Sequence, residues 1–191
     1  IIGILLLISL VSYSPEDPNF IFPENTKIEN ILGYQGSFTA DLFFQSVGLI
    51  ALLIPFSFIF TGINIILNKK IFLIIESLFY TVLYLLFGSL FFSFFYSNSF
   101  KLYINDNGGF IGNHLEKTFL NSLISSNFQL FYYFLFIIIL ILFFFSIQFK
   151  IKIFYVFIKK LLKFLFIKKE KNYTNENEII NQFIPQEEIK S

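Results

Sequence analysis

The chain has 191 residues, of which 55% are hydrophobic, 21% aromatic and only 14% charged, with a net charge of +1. Water-soluble domains carry about 25% charged residues, and one core of this size could not hide 31 phenylalanines. Composition therefore excludes a soluble globular domain and predicts an all-α, polytopic membrane protein. The absence of cysteine excludes disulfides, thiolate catalysis and cysteine–zinc sites. The absence of methionine predicts a fragment that lacks its natural N-terminus.

The first predicted element is the apolar run Ile1–Tyr13, which the polar stretch SPEDPNF follows. The run is shorter than the roughly 20 residues that a spanning helix needs. A signal peptide is the competing interpretation, but Tyr13 and Pro15 make a poor cleavage site. We therefore predict that this run is the exit end of a truncated first span, with Tyr13 at the membrane interface.

Three further segments are long and apolar enough to cross a membrane: Asp41–Leu67, Ile71–Tyr96 and Phe128–Phe149. Together with the truncated run they predict four spans within residues 1–149. The two longer connections, residues 14–40 and 97–127, are predicted as loops on one side of the membrane.

The distribution of lysine predicts the orientation of these spans. Lys69 and Lys70 lie in the short connection, and eight more lysines follow the last span between residues 150 and 171, whereas the two long loops hold three. The positive-inside rule places the lysine-rich side, and with it both termini, in the cytoplasm. Tyrosines support the depth assignment, because they fall at the opposite, outer interface: Tyr13, Tyr96, Tyr132 and Tyr133.

Pro55 lies in the middle of the second span, where it predicts a kink or, alternatively, a moving hinge. Small residues that would let helices approach closely recur in and near the spans, although such spacing is common by chance. They are Gly36, Ala40, Gly48, Ala51, Gly62 and Gly88.

Glu76 is the acid that lies well inside a predicted span, and Asn64 lies at a similar depth on the neighbouring span. An intramembrane carboxylate is a candidate for a proton relay or an ion site. No acidic or basic partner occurs in the other spans, so an interfacial or protonated structural carboxylate, to which Asn64 could hydrogen-bond, is the favoured alternative.

The second long loop contains a short amphipathic pattern, with apolar residues repeating every four positions from Ile111 to Leu123. We predict a helix of about three turns that lies on or dips into the outer leaflet. Gly108, Gly109 and Gly112 would give the chain a flexible approach to it. His114, beside Glu116, is the single histidine and makes no metal site, because zinc requires three or four ligands.

Residues 150–169 combine apolar residues with lysines that stack on one helical face, among them Lys152, Lys159 and Lys163. This pattern predicts a basic helix in the cytoplasmic interface, in contact with anionic lipid; contact with nucleic acid is the alternative. Residues 170–191 are rich in Asn, Glu and Gln and predict a cytoplasmic linker.

The chain contains no P-loop, no G-x-S-x-G and no H-E-x-x-H motif, which predicts that it is not an enzyme. No catalytic, cofactor-binding or metal-binding residues are predicted.

Three stretches resemble the four-span N-terminal domain of the bacterial FtsK/SpoIIIE-type DNA translocase family. SYSPEDPNF is similar to the opening of that domain's outer loop, and ILGYQGSFTADLFFQSVGLIALLIPFSF is similar to its second span. NGGFIGNHLEKTFLNSLI resembles its Gly-Gly-x-x-Gly loop and amphipathic stretch. The chain departs from the family pattern at SSNF, where a further glycine turn is common.

The resemblance implies a membrane anchor that brings a cytoplasmic, ATP-driven DNA motor to the division septum of the bacterial inner membrane. ATP and Mg²⁺ would belong to a motor that these residues do not contain, and DNA would be a partner only through it. The lipid bilayer, other division proteins and self-association through the spans are the implied contacts. A small transporter or channel, supported by Glu76, Asn64 and Pro55, is the alternative, as is a membrane scaffold unrelated to a motor.

Overall fold

The structure is a computed structural model that describes residues 1–18, 27–97, 105–149 and Lys159. All regular elements in these ranges are helical, which confirms the all-α prediction. The helices are α1 (Ile2–Val11), α2 (Gly33–Val47), α3 (Ile54–Asn68), α4 (Leu73–Tyr96), α5 (Gly109–Glu116), α6 (Leu120–Ser126) and α7 (Phe128–Ser146), with a 3-10 turn at Gly48–Leu53 between α2 and α3.

Within residues 1–149, the described parts of the chain form one compact unit. The predicted basic helix at 150–169 and the predicted linker at 170–191 lie outside the described residues, apart from Lys159.

Three helical stretches within the described residues are long and apolar enough to cross a membrane: Gly33–Asn68, Leu73–Tyr96 and Phe128–Ser146. The last two coincide closely with the predicted third and fourth spans. The predicted first span appears as α1, an apolar helix of 10 residues, which is shorter than a complete crossing. Within the described ranges, the bundle thus contains three stretches of full crossing length and one short helix beside them.

The second crossing begins at Gly33, eight residues before the predicted start at Asp41. The prediction was wrong because the first turns of α2 are polar and small rather than apolar. Their small side chains face protein: Ala40 is fully buried, and the Ser9 hydroxyl of α1 donates to the Gly36 carbonyl at 2.6 Å. Contact with α1, and not contact with lipid, accounts for the composition of this part of the helix.

A distortion interrupts this second crossing, but it precedes Pro55. Gly48 has φ 74° and ψ −154°, which ends α2 and starts the 3-10 turn. Pro55 occupies the first turn of α3, where a helix has no intrahelical partner for a backbone N–H in any case. The predicted kink is therefore present as a 3-10 segment, with Pro55 starting the helix that follows.

Neighbouring crossings run antiparallel, so the bundle has two distinct ends. At the tyrosine end, defined by Tyr13, Tyr96 and Tyr132, the last two hydroxyls lie 2.8 Å apart. At the lysine end, defined by Lys69 and Lys70, the chain turns from α3 into α4. The two ends correspond to the two interfaces that the sequence predicts.

Much of the outer surface of the bundle is apolar. Phe79 on α4 and Leu130 on α7 are 60% and 62% exposed, and Ile137 on α7 is 53% exposed. So many large apolar side chains would be unfavourable in water. They are compatible with hydrocarbon, which supports a bilayer as the environment of the crossings.

Candidate interaction sites

Six hydroxyl side chains meet between α3, α4 and α7, in the half of the bundle nearer the lysine end. Ser146 is the centre of this hydroxyl cluster, with its oxygen 2.7 Å from that of Thr81 and 2.9 Å from that of Ser57. A hydroxyl without a hydrogen-bond partner would destabilise the protein in this apolar surrounding, and the hydrogen bonds between the cluster members avoid that loss. All members are buried: Ser57, Thr61, Ser77, Thr81, Tyr84 and Ser146. The cluster joins three crossings without any charged group.

The half of the bundle nearer the tyrosine end is built differently, because α5 packs between α2 and α4. A Cβ on Gly112 would lie 2.4 Å from the Ser89 carbonyl oxygen, and one on Gly108 would lie 2.7 Å from the same atom. Ser89 lies seven residues before the end of α4, which is about 10 Å along the helix axis. Helix α5 therefore sits within the bundle and does not lie flat on its surface.

The segment before α5 crosses the second span at its 3-10 turn. A Cβ on Gly48 would lie 2.0 Å from the Asn107 carbonyl oxygen, and one on Gly109 would lie 2.5 Å from the Gly48 nitrogen. The Leu49 N–H donates to that same Asn107 carbonyl at 2.9 Å. The break in the second crossing thus frees the Leu49 N–H, and the segment before α5 accepts its hydrogen bond.

Side-chain hydrogen bonds fix the position of this insertion. The buried Asn107 amide donates to the Tyr96 carbonyl and, at 3.2 Å, to the Ser97 carbonyl. The Ser93 hydroxyl lies between α4 and α5, 3.1 Å from Asn113 and also bonded to Glu116. Residues 105–116 are hereafter called the inserted segment.

The inserted segment corrects two predictions. The three glycines of this segment allow close backbone contact and do not make the segment flexible, because each is buried against α2 or α4. They are Gly108, Gly109 and Gly112. The single amphipathic helix predicted from Ile111 to Leu123 is two helices, because the chain leaves helical geometry between Glu116 and Leu120. In the second of them Ile124 is buried, which holds α6 against the bundle.

The first loop is tied to α1 by buried polar groups that the sequence did not single out. The Asp17 carboxylate accepts the N–H groups of Glu29 at 2.7 Å and Asn30 at 2.9 Å. The Asn30 amide in turn donates to the carbonyls of Ser9 and Ser12. Spacing alone gave no signal for these contacts, because they join positions 12 to 21 residues apart.

A cleft of about 370 Å³ opens between α2 and the inserted segment near the tyrosine end. Its lining residues are Phe38, Asp41, Leu42, Gln45, Ser46, Asn105 and Phe110. Asp41 is only 5% exposed and accepts hydrogen bonds from the Tyr13 hydroxyl at 3.3 Å and the Gln45 amide at 3.4 Å. Burial, followed by the nearby Asp41 carboxylate, raises the pKa of Tyr13 well above its usual range. We call this feature the Asp41 cleft.

The predicted pairing of Glu76 with Asn64 is wrong. Glu76 lies in the first turn of α4 and is exposed. The Asn64 amide instead donates to the Ile147 carbonyl at 3.2 Å, which joins α3 to the end of α7. The side chain of Glu76 therefore sits near the lysine end, outside the buried polar groups.

Gly88 packs closely, with a Cβ position 2.3 Å from Ile50, whereas the Cβ position of Gly62 faces open space. The small-residue prediction is confirmed for Gly88 and wrong for Gly62. His114 is exposed and stacks on Phe110. Within the described parts of the chain, no three acidic, histidine or cysteine side chains come together as metal ligands would.

These features define a class: an α-helical, polytopic membrane domain whose crossings are joined by hydroxyls at one end and by an inserted segment at the other. Comparison with known proteins gives the family. Residues 1–154 match the family described as the 4TM region of DNA translocase FtsK/SpoIIIE. The chain belongs to that family, which confirms the resemblance seen in the sequence.

A curated relative is the DNA translocase FtsK of Rickettsia typhi, strain ATCC VR-144 / Wilmington. It is 34% identical over 64 residues, which cover 34% of this chain and 9% of the relative. The match thus spans a small part of that protein's length. No solved structure matches the chain.

Proposed function

We propose that this chain is the membrane anchor of a DNA translocase and tethers an ATP-driven motor to the bacterial inner membrane. The observation that carries the proposal is the family match over residues 1–154, which includes every described helix of the bundle. The motor, with its ATP, Mg²⁺ and DNA, would lie in other parts of the parent protein.

The proposal includes an orientation. Both termini lie in the cytoplasm, so that the lysine end faces the cytoplasm and the tyrosine end faces outward. The support is the concentration of lysine at one end of the bundle and of tyrosine at the other. Residues 150–169 would then meet anionic lipid on the cytoplasmic face.

The proposal also includes the division septum, where the domain would bind other division proteins and couple division to chromosome segregation. Its support is again family membership. The segments at the tyrosine end, which include α6 and the first loop, would present the docking surfaces. The transporter alternative loses its main support, since Glu76 is exposed near a helix end and does not bond Asn64.

Localisation of a fluorescent fusion tests the septal role. The full chain, fused at its C-terminus and produced in dividing rod-shaped bacteria, should concentrate at midcell. An unrelated four-span protein with the same tag is the control and should label the whole membrane. Uniform labelling by a fusion that is stable and membrane-inserted would contradict septal targeting.

Orientation can be measured separately, because the chain has no cysteine. Single Ser122→Cys and Lys70→Cys variants place a thiol at exposed positions near opposite ends of the bundle. A membrane-impermeant maleimide applied to intact spheroplasts should label the first variant and leave the second unlabelled until the cells are lysed. The reverse pattern would overturn the orientation.

A further inference from the structure

We propose that the Asp41 cleft holds the primary ammonium of an aminophospholipid headgroup, of the phosphatidylethanolamine class. The site lies beyond the anchoring role, and its test does not depend on a motor or on septal targeting.

The charge of the cleft selects a cation. Of its seven lining residues, Asp41 alone is charged, and its carboxylate is held in place by Tyr13 and Gln45. Both of those partners are neutral donors, so no cation within the described residues pairs with the carboxylate. A buried carboxylate in an apolar surrounding gains from a cationic partner that also donates hydrogen bonds.

The walls of the cleft favour a lipid as the source of that cation. Leu42 and Phe110 are 54% and 62% exposed beside the carboxylate, so acyl chains can cover them. In a bilayer, phospholipid is present at every exposed apolar surface, whereas a basic peptide would have to be recruited.

The depth of the cleft matches a headgroup. The Tyr13 hydroxyl reaches Asp41 from the end of α1, and tyrosine in membrane proteins concentrates at the level of the headgroups. An ammonium at this level leaves its acyl chains beside the apolar surface below.

A primary ammonium is preferred to choline because it has N–H groups to donate. Asp41 can accept such bonds, whereas a trimethylated ammonium offers none and must approach by charge alone. The cleft is thus expected to distinguish ethanolamine from both choline and glycerol headgroups.

Native mass spectrometry of the purified full chain tests the proposal. The detergent-solubilised protein receives equimolar phosphatidylethanolamine, phosphatidylglycerol and phosphatidylcholine with identical acyl chains. Wild type should retain about fivefold more of the ethanolamine lipid than of either other lipid, as expected of one partly exposed ion pair. Asp41→Asn, which keeps an acceptor for Tyr13, should bring the ratio close to one.

Two further variants separate the cleft from general effects. Glu76→Gln removes the exposed acid at the other end of the bundle and should leave the ethanolamine preference unchanged. Leu42→Lys changes an exposed residue of the cleft wall and places a tethered ammonium beside Asp41. This variant should abolish the ethanolamine preference, and it provides a second test if Asp41→Asn is unstable. The melting temperature of each variant reports whether it is folded.

Three results would overturn the proposal. Equal retention of the three lipids by wild type is the first, and a preference that survives both Asp41→Asn and Leu42→Lys is the second. The third is specific binding of a lysine-containing peptide that requires Asp41 while no lipid preference exists. That result would assign the cleft to a protein partner.

Discussion

The two halves of α4 pack by different means. Towards the lysine end, α4 meets α3 and α7 through hydroxyl side chains around Ser146. Towards the tyrosine end, it meets the inserted segment through bare backbone at Gly108 and Gly112. Lipid cannot drive helices together by the hydrophobic effect, so membrane bundles rely on hydrogen bonds and close packing. In this domain the lysine-end half relies on hydrogen bonds, and the tyrosine-end half adds close backbone contact at glycine to its hydrogen bonds.

The difference predicts unequal tolerance of substitution. A hydroxyl cluster has several bonds and loses a fraction of its stabilisation when one member is removed. A backbone contact at glycine has no room for even one methyl group. The tyrosine-end half should therefore be the more sensitive to small changes.

Gly48→Ala should have the largest effect. The new Cβ would meet the Asn107 carbonyl oxygen at 2.0 Å, and the backbone conformation of Gly48 is one that favours glycine. Strain and overpacking together should cost about 3–5 kcal/mol of unfolding free energy. Thermal unfolding in detergent measures the loss.

Gly62→Ala is the matched control for that variant. Gly62 lies within α3, and its Cβ position faces open space. The exchange should be neutral or should stabilise the protein by about 0.5–1 kcal/mol, because alanine favours helix. Equal losses for the two variants would contradict the account of the inserted segment.

Asp17→Ala should have the next largest effect. Its carboxylate accepts two backbone N–H groups, which would be left buried without a partner. The expected loss is about 2 kcal/mol, with faster proteolysis of the first loop. Glu29→Ala, which removes an exposed acid but keeps the backbone N–H that bonds Asp17, is the comparison. If it destabilises the chain equally, general charge and not the Asp17 contacts is responsible.

Ser146→Ala should cost about 1 kcal/mol, the usual range for an interhelical hydrogen bond in a membrane protein. Its former partners Ser57 and Ser77 keep their bonds to Tyr84 and Thr61. Ser122→Ala, at an exposed hydroxyl on α6, should change the melting temperature little. A loss from Ser146→Ala as large as that from Gly48→Ala would remove the contrast between the halves.

Tyr13→Phe should have the smallest effect at neutral pH, since one bond to Asp41 is lost. Burial raises the pKa of Tyr13 in the folded protein. The protonated phenol therefore contributes its full stabilisation below the pKa of about 10 that tyrosine has in the unfolded chain. This stabilisation is lost as the pH rises through the higher pKa of the folded state. The wild-type melting temperature should therefore fall more steeply above about pH 10 than that of Tyr13→Phe. Parallel curves would contradict the burial of this hydroxyl.

Sequence reasoning predicted the crossings that are predominantly apolar over their whole length. Helices α4 and α7 follow long apolar runs, and hydrocarbon contact imposes such runs on any crossing. The start of α2 was missed because Gly36, Ser37 and Ala40 are buried against protein, and residues that face protein need not be apolar.

The interaction sites were less predictable. Gly48 and Gly88 were recognised as small residues, but their partners Asn107 and Ile50 are far away in sequence. The serines and threonines of the hydroxyl cluster looked like isolated interruptions of apolar runs. Only the three-dimensional arrangement brings Ser57, Ser77 and Ser146 together, since they come from three different helices.

The insertion of α5 between α2 and α4 is the central structural claim, and disulfide trapping tests it most directly. The chain has no cysteine, so a Ser93→Cys/Asn113→Cys pair reports this contact alone. In native membranes, mild oxidation should join this pair within each chain, whereas the control pair Ser93→Cys/His114→Cys, with an exposed α5 position, should stay reduced. Two free thiols in the first pair after oxidation, or equal trapping of both pairs, would contradict the insertion.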